Sequence, residues 1–135
     1  MVRLNKNHLS NTQLDSLFSQ LNKTLGKLTH NQTNYFLSEL LGNEERIMLA
    51  KRLAIIILLL EDKSLYRIAS ILKISPTTAN KIKYKLDTGE FDKIITLLGK
   101  NKKEYFALLD TLDSILHLGG ILPHYNGLER YKYTK

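Results

Sequence analysis

The sequence predicts an all-α protein with a helix-turn-helix unit near its centre. Apolar residues recur at three- and four-residue spacing along most of the 135 positions, which is the spacing of one helix face. Serines that suit helix N-caps stand directly before several of these apolar runs. The stretch SPTTANKIKYKL, residues 75–86, adds a proline after such a serine and then alternating lysines. A chain of this length is expected to form a single domain.

Residues 10–42 are predicted to form two amphipathic helices. Ser10 and Gln13 have the spacing of a capping box, and the leucine-rich run that follows them ends at Gly26. After a polar break at residues 29–32, a second apolar run ends at Gly42, where a glycine suits the left-handed position past a helix. Their role as N-terminal dimerisation helices is what a family resemblance of residues 40–86, given below, implies.

Residues 43–62 are predicted to form a central buried helix. Asn43 is its expected N-cap, and Glu44 and Glu45 lie where they favour the positive end of the helix dipole. The run LAIIILLL, residues 53–60, is apolar on every side, so it must be covered on every side. Few other helices remain in so short a chain, which predicts that a second subunit covers this run. Burial by its own chain stays open as the alternative.

Residues 64–86 have the pattern of a helix-turn-helix. Ser64 and Ser75 are the expected N-caps of its two helices, and Pro76 suits the first helical position, where an N–H would have no partner. The turn position that glycine commonly occupies is Lys73. If this residue keeps a left-handed backbone, the lysine costs about 1 kcal/mol relative to glycine. The residues expected to pack the two helices together are Ile68, Ala69, Leu72, Ile74, Ala79 and Ile82.

The outward face of the second of these helices is predicted to contact double-stranded DNA. If Ala79 and Ile82 face inward, the helical period turns Thr77, Asn80, Lys81 and Tyr84 outward, with Thr78 and Lys85 beside them. Short hydroxyls, Ser75 included, and an asparagine can reach base edges, while lysines reach phosphates. Residues 63–85 hold six basic residues and no acidic one, so this window accounts for +6 of the net charge of +7. Such a local excess is typical of a phosphate-binding surface, and a solvated basic face is the alternative.

Two further helices are predicted over residues 90–120. One runs from about Glu90 to Leu98 and is ended by Gly99, and the other begins at Asn101, with Glu104 placed to support that cap. Residues 121–135 form a basic, tyrosine-rich tail. That composition is typical both of nucleic-acid contacts and of termini that fray or dock on a partner.

The composition favours neither catalysis nor a membrane. The chain has no cysteine, its four histidines are scattered, and no nucleophile with its base or phosphate-binding loop appears, so no catalytic, metal or cofactor site is predicted. The longest apolar run, residues 53–60, is far shorter than the roughly 20 residues that span a bilayer. The first residues, MVRLNKNHLSN, lack the apolar region of a signal peptide. A cytoplasmic protein that is not an enzyme is therefore expected.

Residues 40–86 resemble the Trp repressor superfamily, and more closely its small bacterial Trp repressor-like members. The family's EER…LxxR start is matched by Glu44, Glu45, Arg46, Leu49 and Arg52. The resemblance implies an intertwined all-helical homodimer that binds a two-fold symmetric operator. It also implies that Arg67, which matches a base-contacting arginine of the family, belongs to the DNA-binding set. The full set predicted to contact DNA is Arg67, Ser75, Thr77, Thr78, Asn80, Lys81, Lys83, Tyr84 and Lys85.

The resemblance also argues against tryptophan as a corepressor. In the tryptophan-sensing repressor the amino acid lies between two arginines, beside a threonine and a glycine. Arg52 and Thr78 match, but the second arginine is Lys81 and the glycine is Ile82, whose side chain should fill the space. Two further positions differ as well, where this chain has Gly42 and Lys85. We therefore expect DNA binding that needs no tryptophan.

The function predicted is that of a sequence-specific transcriptional regulator, most simply a repressor that acts as a homodimer. Two alternatives from other classes stay open at this point. One is a DNA-targeting accessory protein of a transposase or recombinase, although Asp110 and Asp113 lie on one helix without a third carboxylate close in sequence. The other is a protein-interaction module whose basic face meets an acidic protein partner.

Overall fold

The computed structural model describes residues 8–116, with side chains as far as residue 114, and every regular element in that range is an α-helix. The all-α prediction is therefore confirmed for this part of the chain. The helices are α1 (Asn11–Gly26), α2 (His30–Leu40), α3 (Asn43–Leu60), α4 (Leu65–Leu72), α5 (Pro76–Asp87), α6 (Asp92–Lys100) and α7 (Lys102–Leu116).

The chain divides into two compact units, and the boundary falls inside α3, after Leu49. We call residues 8–49 the N-terminal unit and residues 50–116 the C-terminal unit. The first holds α1, α2 and the start of α3, whereas the second holds the remainder of α3 and α4 to α7.

The two helices of the N-terminal unit begin with reciprocal capping boxes. The Ser10 hydroxyl accepts from the Gln13 N–H at 3.1 Å, and the Gln13 side chain accepts from the Ser10 N–H at 2.9 Å. Thr29 and Gln32 make the same pair of bonds at 3.2 and 3.0 Å. The first box confirms the sequence prediction, and the second was not foreseen because the polar break around it obscured the motif.

Gly42 begins α3 instead of ending α2, so this part of the prediction is wrong. Its backbone is not left-handed. Its carbonyl accepts the Arg46 N–H at 3.0 Å and its own N–H donates to the Glu45 carboxylate at 2.7 Å, which are the bonds of an N-cap residue. Asn43, expected as the cap, is the first residue of the helix. A side chain at Gly42 would crowd the Glu45 carboxylate, because its Cβ would lie 3.1 Å from Oε1.

The core of the C-terminal unit forms around the end of α3. All six residues from Ile55 to Leu60 are buried, and the hydrophobic cluster that covers them comes from the same unit. The inference that a second subunit must cover this run is therefore wrong for residues 55–60, and burial by its own chain is confirmed there. Leu53, the first residue of the run, is 40% exposed. The cluster also contains Ile68, Leu72, Ile82, Leu86, Ile95, Tyr105 and Leu109.

Helices α3, α4 and α5 end in the same way. A residue with positive φ follows each helix. The backbone N–H of the residue after it donates to the carbonyl oxygen five residues earlier in the chain, which is the Schellman arrangement. The left-handed residues are Asp62 after α3, Lys73 after α4 and Gly89 after α5. Lys73 has φ 54° and ψ 54°, so the position that a glycine commonly occupies is left-handed in this chain.

The last two helices differ from the prediction at their junction. Gly99 lies inside α6, which continues to Lys100, so it does not end the helix. Nothing within 4 Å of Gly99 demands a glycine there, and a helix tolerates one at a cost of about 1 kcal/mol. The Asn101 amide donates to the Leu97 carbonyl at 3.0 Å, so its side chain caps the end of α6. The predicted helix stop at residues 119–120 and the tail, residues 121–135, lie outside the described residues.

A buried hydrogen bond joins α7 to the end of α3. The Tyr105 hydroxyl donates to Glu61 Oε2 at 2.5 Å, and the ring of Tyr105 is fully buried. Glu61 is itself 6% exposed and directly follows the buried segment of α3. A buried hydrogen bond of this kind fixes the position of one helix against another. If the two groups moved apart inside the core, each would be left with neither water nor a hydrogen-bond partner.

None of the helices that the structure describes has the length and apolar content needed to traverse a bilayer.

Candidate nucleic-acid interface

The two helices predicted to form a helix-turn-helix, α4 and α5, begin where the sequence places them. The Ser64 hydroxyl accepts from the Arg67 N–H at 3.1 Å and caps α4. The Ser75 hydroxyl accepts from the Thr78 N–H at 3.1 Å and caps α5, with Pro76 as its first residue. Both caps are local, so the boundaries of these helices follow from the sequence around them.

The inward face of α5 is formed by the residues that the helical period predicted. Ala79 is fully buried, Ile82 is 7% exposed, and Leu86 continues the same face. On α4, Ile68 and Ala69 are also buried, and α4 and α5 pack against each other. The small side chains of Ala69 and Ala79 allow the two helices to approach closely. The packing predicted for this unit is therefore confirmed.

The outward face of α5 presents the residues predicted to meet DNA. Thr77, Asn80, Lys81 and Tyr84 are all exposed, and Tyr84 is 67% exposed. These four residues follow one another at helical spacing, so they lie along one side of the helix. Lys85 is exposed beside them. Hydroxyl, amide, ammonium and phenol groups therefore share one accessible strip on a helix whose opposite side is held in the core.

Two of the three hydroxyl groups at the start of α5, those of Ser75 and Thr78, form hydrogen bonds within the protein. Ser75 Oγ lies 2.9 Å from Thr78 Oγ1, in addition to its capping bond, and Thr78 is half-buried. A hydroxyl can still accept a further hydrogen bond in this state. Both residues therefore contribute first to the shape of the helix start, and Thr77 is the hydroxyl presented most openly.

Lys83 differs from the other lysines of α5. Its ammonium lies 2.7 Å from the Asp87 carboxylate, one turn along the same helix, and the two side chains are 43% and 51% exposed. The sequence window that suggested an acid-free surface ends at residue 85, so this partner escaped notice. An exposed pair at this spacing is worth about 0.3–0.5 kcal/mol, which a phosphate could displace. Among the lysines predicted to contact DNA, Lys83 is nevertheless the one already neutralised.

Four exposed cations flank or lie on this surface. None of them forms an ion pair with a carboxylate among residues 8–116. The four are Arg67 in α4, Lys73 in the turn, and Lys81 and Lys85 in α5. Because no carboxylate in the described part of the chain pairs with them, their positive potential is directed to solvent, where it attracts phosphate.

Two exposed residues beside this surface are absent from the set predicted to contact DNA, although Lys73 belongs to the basic window at residues 63–85. Tyr66 is 82% exposed in the first turn of α4, directly before Arg67. Lys73 is exposed in the turn between the helices. A large aromatic side chain at an outward helix position was the available signal for Tyr66. For Lys73 the signal was a lysine at a turn position where a glycine would avoid backbone strain.

One residue at a position matching the tryptophan site of the resembled family is packed in the core of the C-terminal unit. Ile82, which stands where that family has a glycine, belongs to the hydrophobic cluster. Thr78 bonds to Ser75, and both Arg52 and Lys81 are exposed. A side chain packed in the core cannot leave the space that an indole ring would need.

Across residues 8–116, no three side chains of the types His, Cys, Asp and Glu come together in a way that could hold a metal ion. Asp110 and Asp113 both lie on α7. The expectations of no metal site, no cofactor and no catalytic residue stay predictions.

Comparison of the chain with protein-family models, with curated proteins and with solved structures finds no match in any of the three. The resemblance to the Trp repressor superfamily therefore rests on the residues quoted for it.

Proposed function

We propose that this protein is a sequence-specific DNA-binding transcriptional regulator, a repressor that acts as a homodimer without tryptophan. One observation supports it most: the strip of Thr77, Asn80, Lys81 and Tyr84 is exposed on a helix that Ser75 caps and Ala79 and Ile82 anchor. A recognition helix needs this combination, because side chains read base edges only when the helix beneath them is rigid.

The exposed residues divide into two chemical groups that suit the two parts of a DNA site. Thr77 and Asn80 offer a methyl, a hydroxyl and an amide, which discriminate between bases at roughly 1–3 kcal/mol for each good contact. Arg67, Lys81 and Lys85 offer cations that neutralise phosphates and release counterions. We infer that the first group specifies the sequence and the second supplies most of the affinity.

The homodimer is supported by the N-terminal unit. Neither α1 nor α2 contains a buried residue, and α3 has none before residue 55. Isolated helices of 11 and 16 residues are marginal in water, so they need an apolar partner. A second copy offers the same apolar faces and closes the association at two chains. The large apolar side chains left exposed in this unit are Leu9, Leu17, Phe18, Leu21, Tyr35, Leu40, Ile47, Met48 and Leu49.

Selection of bound sequences from a random DNA pool tests the proposal directly. We expect a palindromic consensus whose half-sites lie about one helical turn apart, because a two-fold dimer presents two copies of α5. The selected sites should then bind in the nanomolar range at physiological salt, at least about 1,000-fold more tightly than scrambled DNA. Absence of any DNA binding under these conditions would instead favour a module for an acidic protein partner.

Titration calorimetry tests the tryptophan-independent part of the proposal. We expect no heat of tryptophan binding at micromolar concentrations, with or without the selected DNA, because Ile82 packs in the core at the critical position. A micromolar dissociation constant, or a strong rise in DNA affinity on adding tryptophan, would contradict this expectation. Indole-3-propionate, which is tryptophan without its amino group, serves as the control ligand for nonspecific binding to apolar surface.

A further inference from the structure

The turn between α4 and α5 holds a lysine in a backbone conformation that favours glycine. Lys73 has φ 54° and ψ 54°, and it follows the last residue of α4. Side chains other than those of glycine and asparagine rarely adopt this region, because Cβ crowds the adjacent carbonyl oxygen. The chain does use glycine for the same purpose after α5, where Gly89 has φ 86°.

Nothing in the described fold uses the Lys73 side chain. It is exposed and makes no hydrogen bond or ion pair with residues 8–116. The bond that Lys73 does make runs from its backbone N–H to the Ala69 carbonyl, and a glycine would make it equally well. For folding alone, glycine would therefore be the better residue at this position.

Strained residues of this kind persist where the side chain serves a site. We propose that Lys73 contacts a phosphate of the bound DNA beside the amino end of α5. This inference rests on the proposed function, and it adds a residue outside the set predicted from the sequence. Lys73 lies two residues before the Ser75 cap, and Thr77 occupies the first turn of the same helix. Phosphates border the groove that this end of α5 would enter.

A lysine suits such a contact because its ammonium needs no fixed orientation. It is a compact charge on a flexible four-carbon stem, so it reaches a phosphate oxygen from several turn geometries. Its charge also adds to that of the exposed Lys81 and Lys85. The contact should therefore appear mainly in the salt dependence of binding, and not in the sequence preference.

Two opposite effects of Lys73→Gly test the proposal. We expect the folding equilibrium to improve about threefold to fivefold in urea unfolding, because the left-handed strain is relieved. We expect affinity for the selected DNA to fall about threefold to tenfold at physiological salt, with the salt slope lower by about one ion. Fluorescence anisotropy over a salt series measures both binding quantities, and Lys73→Arg should keep the wild-type slope.

Two matched variants distinguish loss of this phosphate contact from two other effects of Lys73→Gly. These are the relief of backbone strain and the loss of one positive charge. Asp62→Gly places glycine at the other strained left-handed position, after α3, and should not weaken DNA binding. Lys93→Ala removes one positive charge from exposed surface on α6 and should leave the salt slope unchanged. A loss of slope confined to Lys73→Gly therefore supports a local phosphate contact.

Other outcomes overturn the inference. A Lys73→Gly variant that is more stable and binds with the wild-type slope shows that the lysine is merely tolerated. A variant that is less stable than wild type shows that the side chain serves the fold. If the wild-type protein binds no DNA, the proposed function itself fails, whereas normal wild-type binding with a flatter slope for Lys81→Ala alone rejects only the role of Lys73.

Discussion

The two units of the chain are both rich in apolar residues, but they differ in what they bury. The C-terminal unit encloses Ile55, Ile57, Leu58 and Leu60 completely, with Tyr105 beside them. The N-terminal unit buries none of its residues, although α1 and α2 have apolar residues at helical spacing and well-formed capping boxes.

The contrast is sharpest within α3. Ile47, Met48 and Leu49 are 45%, 38% and 48% exposed, whereas residues 55–60 of the same helix are buried. Both stretches are apolar, so apolar content alone does not decide burial. The difference teaches that the C-terminal unit contains enough helices to build a core, whereas α1, α2 and the start of α3 build none among the described residues.

Truncation of the buried core should produce the largest effect. Leu58→Ala is expected to lower the free energy of unfolding by about 3 kcal/mol, because it removes buried methyl groups and leaves a cavity. Urea unfolding followed by circular dichroism measures the change. Leu97→Ala, at a residue that is 59% exposed, is the control and should alter stability by less than about 0.5 kcal/mol. Equal losses would show that the core is not centred on α3.

A charge on the apolar face of α1 should break the proposed dimer. Leu17 is 57% exposed, so Leu17→Glu should leave the helix intact while weakening self-association about 100-fold, or ~2.7 kcal/mol. Sedimentation equilibrium measures the dissociation constant. Ser19→Glu adds the same charge to another side of α1 and is the matched control. A monomeric wild-type protein at micromolar concentration would end the homodimer proposal.

Loss of the buried hydrogen bond between α7 and the end of α3 should have an intermediate effect. Tyr105→Phe keeps the ring but removes the hydroxyl that lies 2.5 Å from Glu61, so we expect about 2 kcal/mol of destabilisation. Thermal and urea unfolding both report the change. Tyr66→Phe removes a hydroxyl from a residue that is 82% exposed, and it should be neutral. A neutral Tyr105→Phe would mean that packing alone positions α7.

Substitutions on the outward face of α5 should change DNA binding without changing stability. Lys81→Ala is expected to flatten the salt dependence by about one ion, and Lys83→Ala by less, because Lys83 is paired with Asp87 at 2.7 Å. Thr77→Ala is expected to weaken the selected site about fivefold, or ~1 kcal/mol, and to leave scrambled DNA unaffected. Anisotropy titrations distinguish these outcomes, and equal effects of Lys81→Ala and Lys83→Ala would contradict the assigned face.

The features predicted correctly from the sequence are those that depend on a few neighbouring residues. The caps are each set by a bond that spans three residues, and the cap residues are Ser10, Ser64 and Ser75. The inward and outward faces of α5 were predicted for the same reason, since helical period alone separates Ile82 from its exposed neighbours. The exposed strip proposed to meet DNA could therefore be read without a structure.

Only the tertiary structure decided which chain covers an apolar segment. Residues 53–60 suggested a second subunit, yet helices of the same unit bury residues 55–60, whereas the N-terminal unit has exposed apolar residues and no buried one. The bond between Glu61 and Tyr105, 44 residues apart, had no local signal. Local propensity and spacing determine how a helix begins, ends and divides into faces. Burial depends on contacts between residues that are distant in sequence. Helical periodicity therefore identifies an apolar face without identifying the helix or chain that packs against it.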